Sequence, residues 1–432
     1  MGVVDSMSPP AARAPATHPP TGQRDGGAVP RAIVIGLDCP TGLQTARLLA
    51  DRDVPVIGIA RNVRHACART NVCERVMAAD TGGPELIETL RRLGEELETP
   101  AVIFPCTDMS VLLTSRHRGE LTEHFHLVLP DAAIVEMLVD KGRFYAFAQE
   151  AGLPIPTTFS LHTRGDAERA AGALRFPAVL KPAVKTPEWE RATRAKVYRV
   201  TSGDELLAIY DQCSGWSESF VVQEWIAGGD TEHYTCNAYF GSDSEPLATL
   251  TTRKLRQWPP TGGQACLSIE ARDDEVLETT VNLFRKVGHR GLGYLEVKRD
   301  SGTGQYVIIE PNVGRPTGRS ATAEAAGVEM LYTMYCDALG RPLPAHRSQT
   351  FRGVKWIYLR RDVQAAVYHW VRGELRLREW VESWRGPMVE ALFSWRDPMP
   401  FWVDLGGTVV MTAVRLVKRP FAPRSIAAVE SA

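Results

Sequence analysis

Two glutamates and an asparagine form the most informative group in the sequence. Glu296 lies in LEVKRD, Glu310 and Asn312 lie in VIIEPN, and the turn SGTG joins these two apolar segments. The turn predicts a hairpin in which Glu296 lies beside Glu310, and Glu310 and Asn312 point to one face because they are two residues apart. Three hard oxygen ligands on one sheet face are typical of Mg²⁺ bound together with phosphates. The pattern therefore predicts a metal–nucleotide site; the alternative for Glu296 alone is an edge-strand carboxylate facing water.

Two lysines are candidates to hold phosphate. Lys181 ends the apolar segment FPAVLK, so that Ala178-Val179-Leu180 would bury its stem, and Lys141 precedes it by a helix and a strand. A lysine at a strand exit can point into a cleft as a compact charge. The alternative for either lysine is a solvated surface charge.

A strand followed by a glycine turn, QEWIAGGDTE, predicts a place for the nucleoside. The backbone groups of Gln223, Glu224, Trp225 and Ile226 could pair with an adenine edge, and Glu232 could accept hydrogen bonds from ribose hydroxyls.

The elements that must position these residues begin at Arg31. The apolar runs AIVIG, VPVIGIA, AVIFPC and HLVLP alternate with helical stretches, which predicts an open parallel sheet with helices on its faces. Asp38 and Thr41 follow the first strand, and Thr107 and Asp108 follow the third. Because ligands bind outside the carboxyl ends of such strands, these four residues are expected to face a substrate, unless the first turn is simply tight.

The later segments change in character. Two helices and two buried strands follow residue 131, and a largely antiparallel region contains TEHYTCNAYFG, EPLATLTTRKLRQ and the hairpin. The sequence predicts an α/β and α+β protein in five parts: a disordered tail (1–30), an open parallel α/β domain (31–130), two lobes (131–220 and 221–346, the second with the metal site), and a C-terminal accessory region (347–432).

Composition narrows the functional classes. The net charge of -1 over 432 residues gives no reason to expect a nucleic-acid partner. The eight cysteines contain no C-x-x-C pair and read as buried thiols in a reducing compartment. No signal peptide is evident, and the apolar stretch Leu405–Val414 is too short to span a bilayer, so a soluble cytoplasmic protein is expected.

Taken in order, these motifs resemble the ATP-grasp superfamily, specifically its carboxylate–amine ligase branch with D-aspartate ligase-like members. The resemblance covers about residues 31–345 and rests on DK…AGLPIP, PAVLKP, VVQEWIxGGDxE, TRKLRQ, GYLEVKRD and IIEPN. It implies a pre-ATP-grasp domain followed by a two-lobed ATP-grasp fold.

The resemblance also implies roles for particular residues. Phosphates of ATP would be held by Lys141 and Lys181, adenine by Gln223, Glu224, Trp225 and Ile226, ribose by Glu232, and Mg²⁺ by Glu296, Glu310 and Asn312. Lys254, Arg256 and Arg315 would act on the phosphates or the acyl phosphate. The family's E-x-N-x-R becomes EPNVGR here, so either Arg315 or Arg319 fills the arginine role, and the segment after Lys181 lacks the glycines common in relatives.

The implied reaction joins a small carboxylate to an amine, such as an amino acid, with ATP and two Mg²⁺ ions, for which Mn²⁺ can substitute, and the enzyme could be a homodimer. No side-chain nucleophile is required. Three alternatives stay open: ATP-dependent phosphorylation of an enol or alcohol, nucleotide binding without turnover, and a membrane-surface or partner-binding role of the C-terminal region.

The C-terminal region is predicted to lie on the ligase body. VKWIYLRRD reads as a strand and DVQAAVYHWVRGELRLREWVESW as helical, with Val367, Trp370 and Val371 at i, i+3 and i+4 as a core-facing stripe. The last segment, PFWVDLGGTVVMTAVRLVKRPF, could alternatively form an interfacial helix on an anionic membrane.

Overall fold

A computed structural model describes residues 29–184, 186–193, 195, 197–260 and 262–407. The predicted tail lies outside the described residues except for its last two positions. The predicted interfacial helix also lies outside them beyond residue 407.

Helices and strands alternate at first and then give way to a strand-rich second half. The strands are β1 (Ala32–Ile35), β2 (Val56–Ala60), β3 (Arg75–Ala78), β4 (Ala101–Pro105), β5 (Phe125–His126), β6 (Thr158–Leu161), β7 (Ala178–Pro182), β8 (Tyr198–Val200), β9 (Phe220–Glu224), β10 (His233–Phe240), β11 (Pro246–Trp258), β12 (Gln264–Glu270), β13 (Gly291–Arg299), β14 (Tyr306–Val313), β15 (Lys355–Ile357) and β16 (Met388–Glu390). The helices are α1 (Pro40–Ala50), α2 (Glu85–Glu96), α3 (Asp108–Arg116), α4 (Arg118–Leu121), α5 (Ala132–Val139), α6 (Lys141–Glu150), α7 (Arg164–Ala173), α8 (Pro187–Ala192), α9 (Gly203–Cys213), α10 (Asp274–Lys286), α11 (Ser320–Ala325), α12 (Met330–Ala338), α13 (Leu359–Val371) and α14 (Leu377–Ser383).

The first sheet is open and wholly parallel, with strand order β3-β2-β1-β4-β5, as the alternating pattern predicts. Its three central strands are buried on both faces. Strand β3 was not predicted, because its apolar part is only three residues long and its four residues are exposed or half-buried. The segment HLVLP contributes only His126 to a two-residue edge strand, β5, and is otherwise not a strand.

The second sheet is antiparallel and has the order β6-β9-β7-β8. Helices α7 and α9 pack beside each other in this lobe. Ser202 caps α9, since it accepts a hydrogen bond from the Glu205 N–H. Trp189 of α8 is buried among aromatic rings and donates to the Ala195 carbonyl at 3.1 Å, so an indole anchors the segment that follows Lys181.

The third sheet is the largest, with the order β14-β13-β10-β11-β12-β15-β16. Its strands pair antiparallel except for β15 and β16. The predicted hairpin is confirmed as β13 and β14. Helix α10 packs against β10, β11 and β13 and covers part of one face. Strand β12 and helices α10, α11 and α12 were not anticipated from the sequence.

The C-terminal region is built into the third sheet. Strand β15 continues the ladder from β12, and the predicted helical stretch divides into α13 and α14 around Gly373, whose φ is +73°. The prediction of a core-facing stripe at Val367, Trp370 and Val371 is wrong, because these side chains are 49%, 63% and 75% exposed. Helix α13 instead buries Ala365 and Ala366, whose small side chains let it approach β11 and β12 closely.

Six of the eight free cysteines are buried, and Cys39 and Cys73 are half-buried, which agrees with the prediction of unpaired thiols. Among the described residues, no helix combines the length and the apolar character needed to cross a membrane.

Candidate functional site

The hairpin places two carboxylates directly across from each other. Glu296 of β13 and Glu310 of β14 are paired in register, immediately before a shift between Glu296 and Val297. Directly opposite residues on antiparallel strands have Cβ atoms about 4.5–5.5 Å apart, and like charges at that spacing destabilise the sheet. The pair therefore favours a cationic partner.

The chemical types of the three candidate ligands, two carboxylates and one amide oxygen, suit Mg²⁺. Asn312 follows two positions after Glu310, is buried, and adds an amide oxygen to the two carboxylates; this oxygen accepts a hydrogen bond from Arg315. Among the described residues, no group of three or more His, Cys, Asp or Glu side chains is placed to hold a metal, so an amide would be the third protein ligand here. Few protein oxygens with room for water and phosphate suit Mg²⁺.

The two predicted lysines converge on this hairpin from the smaller lobe and helix α6. Lys141 Nζ lies 2.9 Å from Glu310 Oε1. Lys181 is buried and its Nζ donates to the Tyr145 hydroxyl at 3.1 Å, and that hydroxyl in turn donates to the Ile309 carbonyl. A chain of hydrogen bonds thus joins Lys181 to the residue before Glu310.

Burial and charge act differently on the two ammonium groups. Burial lowers the pKa of Lys181 to about 8, and Lys141 adds to this effect, although Glu310 and Glu296 oppose it. Burial also disfavours the charged form of Lys141, but the Glu310 and Asp108 carboxylates together outweigh it and raise the pKa of Lys141 above its ordinary value. Lys181 is therefore the more sensitive of the two to an arriving anion.

The side chains of Gln223 and Glu224 are hydrogen-bonded to partners within the smaller lobe. Gln223 is buried and its Nε2 donates to Thr158 Oγ1 at 2.8 Å. Glu224 Oε1 accepts from the Arg175 N–H at 3.3 Å.

Two backbone groups of the segment that links the lobes are already paired. The Trp225 N–H donates to the Pro177 carbonyl at 3.0 Å, and the Ile226 carbonyl accepts from Lys298 Nζ at 2.7 Å. The Lys298 ammonium also lies 4.8 Å from the centre of the Trp225 ring, a cation–π contact. Any adenine contact through this segment must use its other backbone groups.

The predicted ribose ligand is an ion-pair partner in this state. Glu232 Oε2 lies 2.7 Å from Arg299 Nε. A carboxylate has several lone pairs, so this contact still leaves acceptors for hydroxyl groups.

Lys254 of β11 lies close enough to Glu296 and to Arg319, the residue at the start of α11, to interact with both charges. Lys254 Nζ donates to Gln257 Oε1 at 2.9 Å, and burial lowers the pKa of Lys254, although Glu296 opposes this. Arg319 donates to Thr235 Oγ1 at 3.3 Å, and its buried Nε has no hydrogen-bond partner within the described residues. An incompletely paired guanidinium next to a carboxylate site can donate a hydrogen bond to a phosphoryl or carboxylate oxygen.

The structure does not place Arg256 with Lys254, and this corrects the sequence-based expectation. The register shifts between these two residues, so a bulge breaks the alternation that would put them on one face. Arg256 instead forms a buried ion pair with Asp362, with Nε 2.8 Å from Oδ1, and donates to Ser383 Oγ. It therefore holds the C-terminal helices to the sheet.

Arg315 joins the hairpin to the parallel domain. Its Nε lies 2.5 Å from Asp108 Oδ1, its Nη1 donates to the Tyr294 hydroxyl at 2.5 Å, and its Nη2 donates to Asn312. Burial would lower the pKa of Arg315, but Asp108 raises it, so the guanidinium stays charged. These contacts make Arg315 a residue that orients Asn312.

The predicted polar residues at the sheet edge reach the same region in part. Asp108 contacts Arg315, and Thr107 caps α3. Thr41 faces the loop after β14, since a Cβ on Gly318 would lie 3.4 Å from Thr41 Oγ1. Asp38 accepts from the Asn62 N–H at 3.1 Å and so joins the turn after β1 to the loop after β2.

Sequence reasoning missed several residues that shape the site. Tyr145 and Tyr294 hold Lys181 and Arg315, and nothing in their local sequence signals this because the contacts cross from one element to another. His233 lies beside Lys254 and Lys298, and burial together with these two charges lowers its pKa to about 2. Its position next to Glu232 was a usable signal.

Comparisons with known proteins find sequence similarity to a ligase and structural similarity to two solved proteins. The D-aspartate ligase of Enterococcus faecium is 26% identical over 254 residues, which are 55% of this chain and 59% of that protein. Among solved structures, N5-carboxyaminoimidazole synthetase from Staphylococcus aureus has a TM-score of 0.57 at 15% identity, covering 74% of this chain and 79% of that one. The L-amino acid ligase from Bacillus licheniformis has a TM-score of 0.54 at 15% identity, covering 72% and 75%.

The chain is similar in sequence to carboxylate–amine ligases, among them a D-aspartate ligase and a D-alanine–D-alanine ligase, and it has the fold of the ATP-grasp superfamily. No family profile matches it. The chain spans less than three fifths of the length of the curated relatives that it matches. The parallel first sheet and the two antiparallel lobes are thus those of an ATP-grasp fold.

Proposed function

We propose that this ATP-grasp protein joins a small carboxylate to an amine, with an amino acid as one substrate, at the expense of ATP. The observation that carries the proposal is the in-register pair Glu296 and Glu310, with Lys141 bound to Glu310 and Lys181 one hydroxyl away. Ligases of this branch supply the precedent.

In the proposed reaction a carboxylate oxygen attacks the γ-phosphorus of ATP, and the bond to the β-phosphate oxygen breaks to release ADP. The amine then attacks the acyl phosphate, inorganic phosphate leaves, and the amine loses a proton. Both steps release an anionic phosphate leaving group, ADP in the first and inorganic phosphate in the second, so fixed positive charge is the main requirement on the protein.

The chain's own residues divide this work. Lys181 and Lys141 hold the phosphates, because a desolvated ammonium binds an anion strongly. Arg319 reaches the transferring group with its unpaired Nε, and Arg315 keeps Asn312 oriented. Glu296, Glu310 and Asn312 would hold Mg²⁺, which would neutralise charge on the phosphate oxygens.

The test is phosphate and ADP release from ATP and Mg²⁺ with pooled carboxylates and pooled amines, followed by mass spectrometry of the product. We expect turnover only when both pools are present, and one amide product per ADP. Leaving out each pool in turn is the matched control.

Two other outcomes would indicate a different function. Turnover with one pool and a phosphorylated product would identify a kinase. ATP binding without turnover on any pool would show a nucleotide-binding protein, and either result would overturn the proposed ligase.

A further inference from the structure

The exposed apolar side chains of the chain are concentrated at one end of the sequence. Thirteen large hydrophobic residues are exposed in the described part, and ten of these fall between residues 363 and 405. Trp370 is 63% exposed, Trp395 88% and Trp402 58%. Scattered exposed hydrophobic residues are ordinary, but a concentration of this kind marks an interaction surface.

These residues belong to one connected substructure, which we call the C-terminal apolar surface (exposed hydrophobic residues of 363–405). Residues 399–407 are helical, and Asp404 in this helix accepts from Arg360 Nε of α13 at 2.8 Å. Arg360, Val367 and Val371 lie on one face of α13, because they are separated by seven and four residues. The ion pair thus connects the exposed stripe of α13 to the helix that carries Trp402.

A second set of polar contacts fixes α14 to α13, the helix that contains Asp362. Trp380 and Trp384 both donate through Nε1 to the buried carboxylate of Asp362, at 2.8 and 3.0 Å. The polar contacts therefore face inward, and Leu377 and Val381 of α14 are left 62% and 51% exposed. The surface is rigidly mounted, since buried hydrogen bonds hold its supporting helices.

Charge indicates the kind of partner. Residues 352–407 contain nine basic and seven acidic side chains, a net charge of +2 in a chain whose net charge is -1. In the sequence beyond the described residues, four further basic residues fall between 415 and 424, with one acidic residue after them. A second copy would meet this surface with the same excess of positive charge, whereas an anionic surface complements it.

We propose that the C-terminal apolar surface docks on an anionic lipid bilayer. Tryptophan prefers the boundary between headgroups and acyl chains, aliphatic side chains enter the outer acyl region, and arginine and lysine pair with anionic headgroups. The catalytic cleft plays no part in this contact, so the proposal does not depend on the ligase assignment.

The test is co-sedimentation of the full chain with vesicles of phosphatidylcholine and phosphatidylglycerol, and with vesicles of phosphatidylcholine alone. We expect sedimentation with the anionic vesicles only, weakened by added salt. The combined variant Val367→Ser, Trp370→Ser and Val371→Ser should lower the bound-to-free ratio by about tenfold or more, because it removes the apolar anchor.

The matched control is the combined variant Val29→Ser, Val63→Ser and Phe351→Ser, which removes exposed hydrophobic residues outside the surface and should bind like the parent. If the first variant does not fold, Trp395→Ser replaces it, because that indole is 88% exposed. Equal sedimentation of variant and parent would overturn the proposal. No sedimentation of the parent, or a vesicle-independent dimer that the variant converts to monomer, would also overturn it.

Discussion

Single charged side chains in this ATP-grasp protein are held by partners from other elements. Lys181 hydrogen-bonds to Tyr145, and Tyr145 to the backbone beside Glu310, so a substitution at Tyr145 would loosen the lysine without removing a charge. The same design recurs at Arg315, which Asp108 and Tyr294 fix against Asn312. Two predictions concern these lysine and arginine side chains.

The first concerns Lys181 and pH. Its pKa of about 8 means that the ammonium is charged below this pH and loses its proton as the pH rises through it. We expect kcat/KM for ATP, which reports the free enzyme, to fall above about pH 8. In Lys181→Arg the fall should move to higher pH, because a guanidinium stays protonated.

Two controls accompany the pH profile. Lys286→Arg, on the exposed side of α10, should leave the profile unchanged. Lys298 also has a pKa lowered to about 8. If the fall in kcat/KM persists in Lys181→Arg and disappears in Lys298→Arg, it reports the titration of Lys298 and the prediction for Lys181 is wrong.

The second prediction separates the two arginines. Arg315→Lys should raise the Mg²⁺ concentration for half-maximal activity by about 10–100-fold, the usual effect of losing a group that orients a metal ligand. Arg319→Gln should lower kcat by about 100-fold at saturating Mg²⁺, as expected for a lost electrostatic stabiliser.

Arg285→Gln, an exposed arginine paired with Glu245, is the control for charge removal. If Arg319→Gln changed only the Mg²⁺ requirement and Arg315→Lys only kcat, the two roles would be reversed.

At the scale of elements, the bulge in β11 has the largest consequence. A strict two-residue alternation predicts that Lys254 and Arg256 share a face, and the register shift removes that relation. A bulge is set by pairing with a neighbouring strand, so the local sequence of one strand does not reveal it. The hairpin of β13 and β14 was predictable because its turn and both strands are contiguous in sequence.

The buried ion pair between Arg256 and Asp362 predicts an effect on the stability of the fold. Asp362→Ala leaves Arg256 charged and buried and removes the acceptor of Trp380 and Trp384. We expect the free energy of unfolding in urea to fall by about 3–5 kcal/mol. The kcat of the folded fraction should stay unchanged.

Asp274→Ala, which breaks an exposed ion pair with Arg272, should cost less than about 1 kcal/mol. A large loss of kcat in Asp362→Ala with full stability would mean that Arg256 acts on the phosphates after all.

At the scale of the molecule, the sequence sufficed for the fold class and for the carboxylate pair. Apolar periodicity predicted the parallel sheet, because buried strands are uninterrupted apolar runs. Small edge strands such as β3 and the exposed face of α13 could not be predicted, since each depends on which surface a distant element covers. The apolar spacing of i, i+3 and i+4 in α13 is compatible both with a helix face that packs in the core and with one that is exposed.

The active cleft also depends on the assembly of all three sheets. Lys181 comes from the second sheet, Glu296 and Glu310 from the third, and Asp108 from a helix of the first. The roles of these residues in catalysis stay predictions, and all of them depend on the proposed metal site at Glu296 and Glu310.

The most direct test of the central claim is turnover by Glu310→Gln. This change keeps the shape of the side chain and removes one charge from the predicted metal site. We expect ADP release with carboxylate and amine to fall by about 10²–10³-fold, with an unchanged far-UV spectrum and melting temperature. Glu245→Gln, a glutamate in an exposed ion pair, should retain the parent rate. Turnover by Glu310→Gln within a few-fold of the parent would contradict the assignment of this hairpin as the catalytic centre.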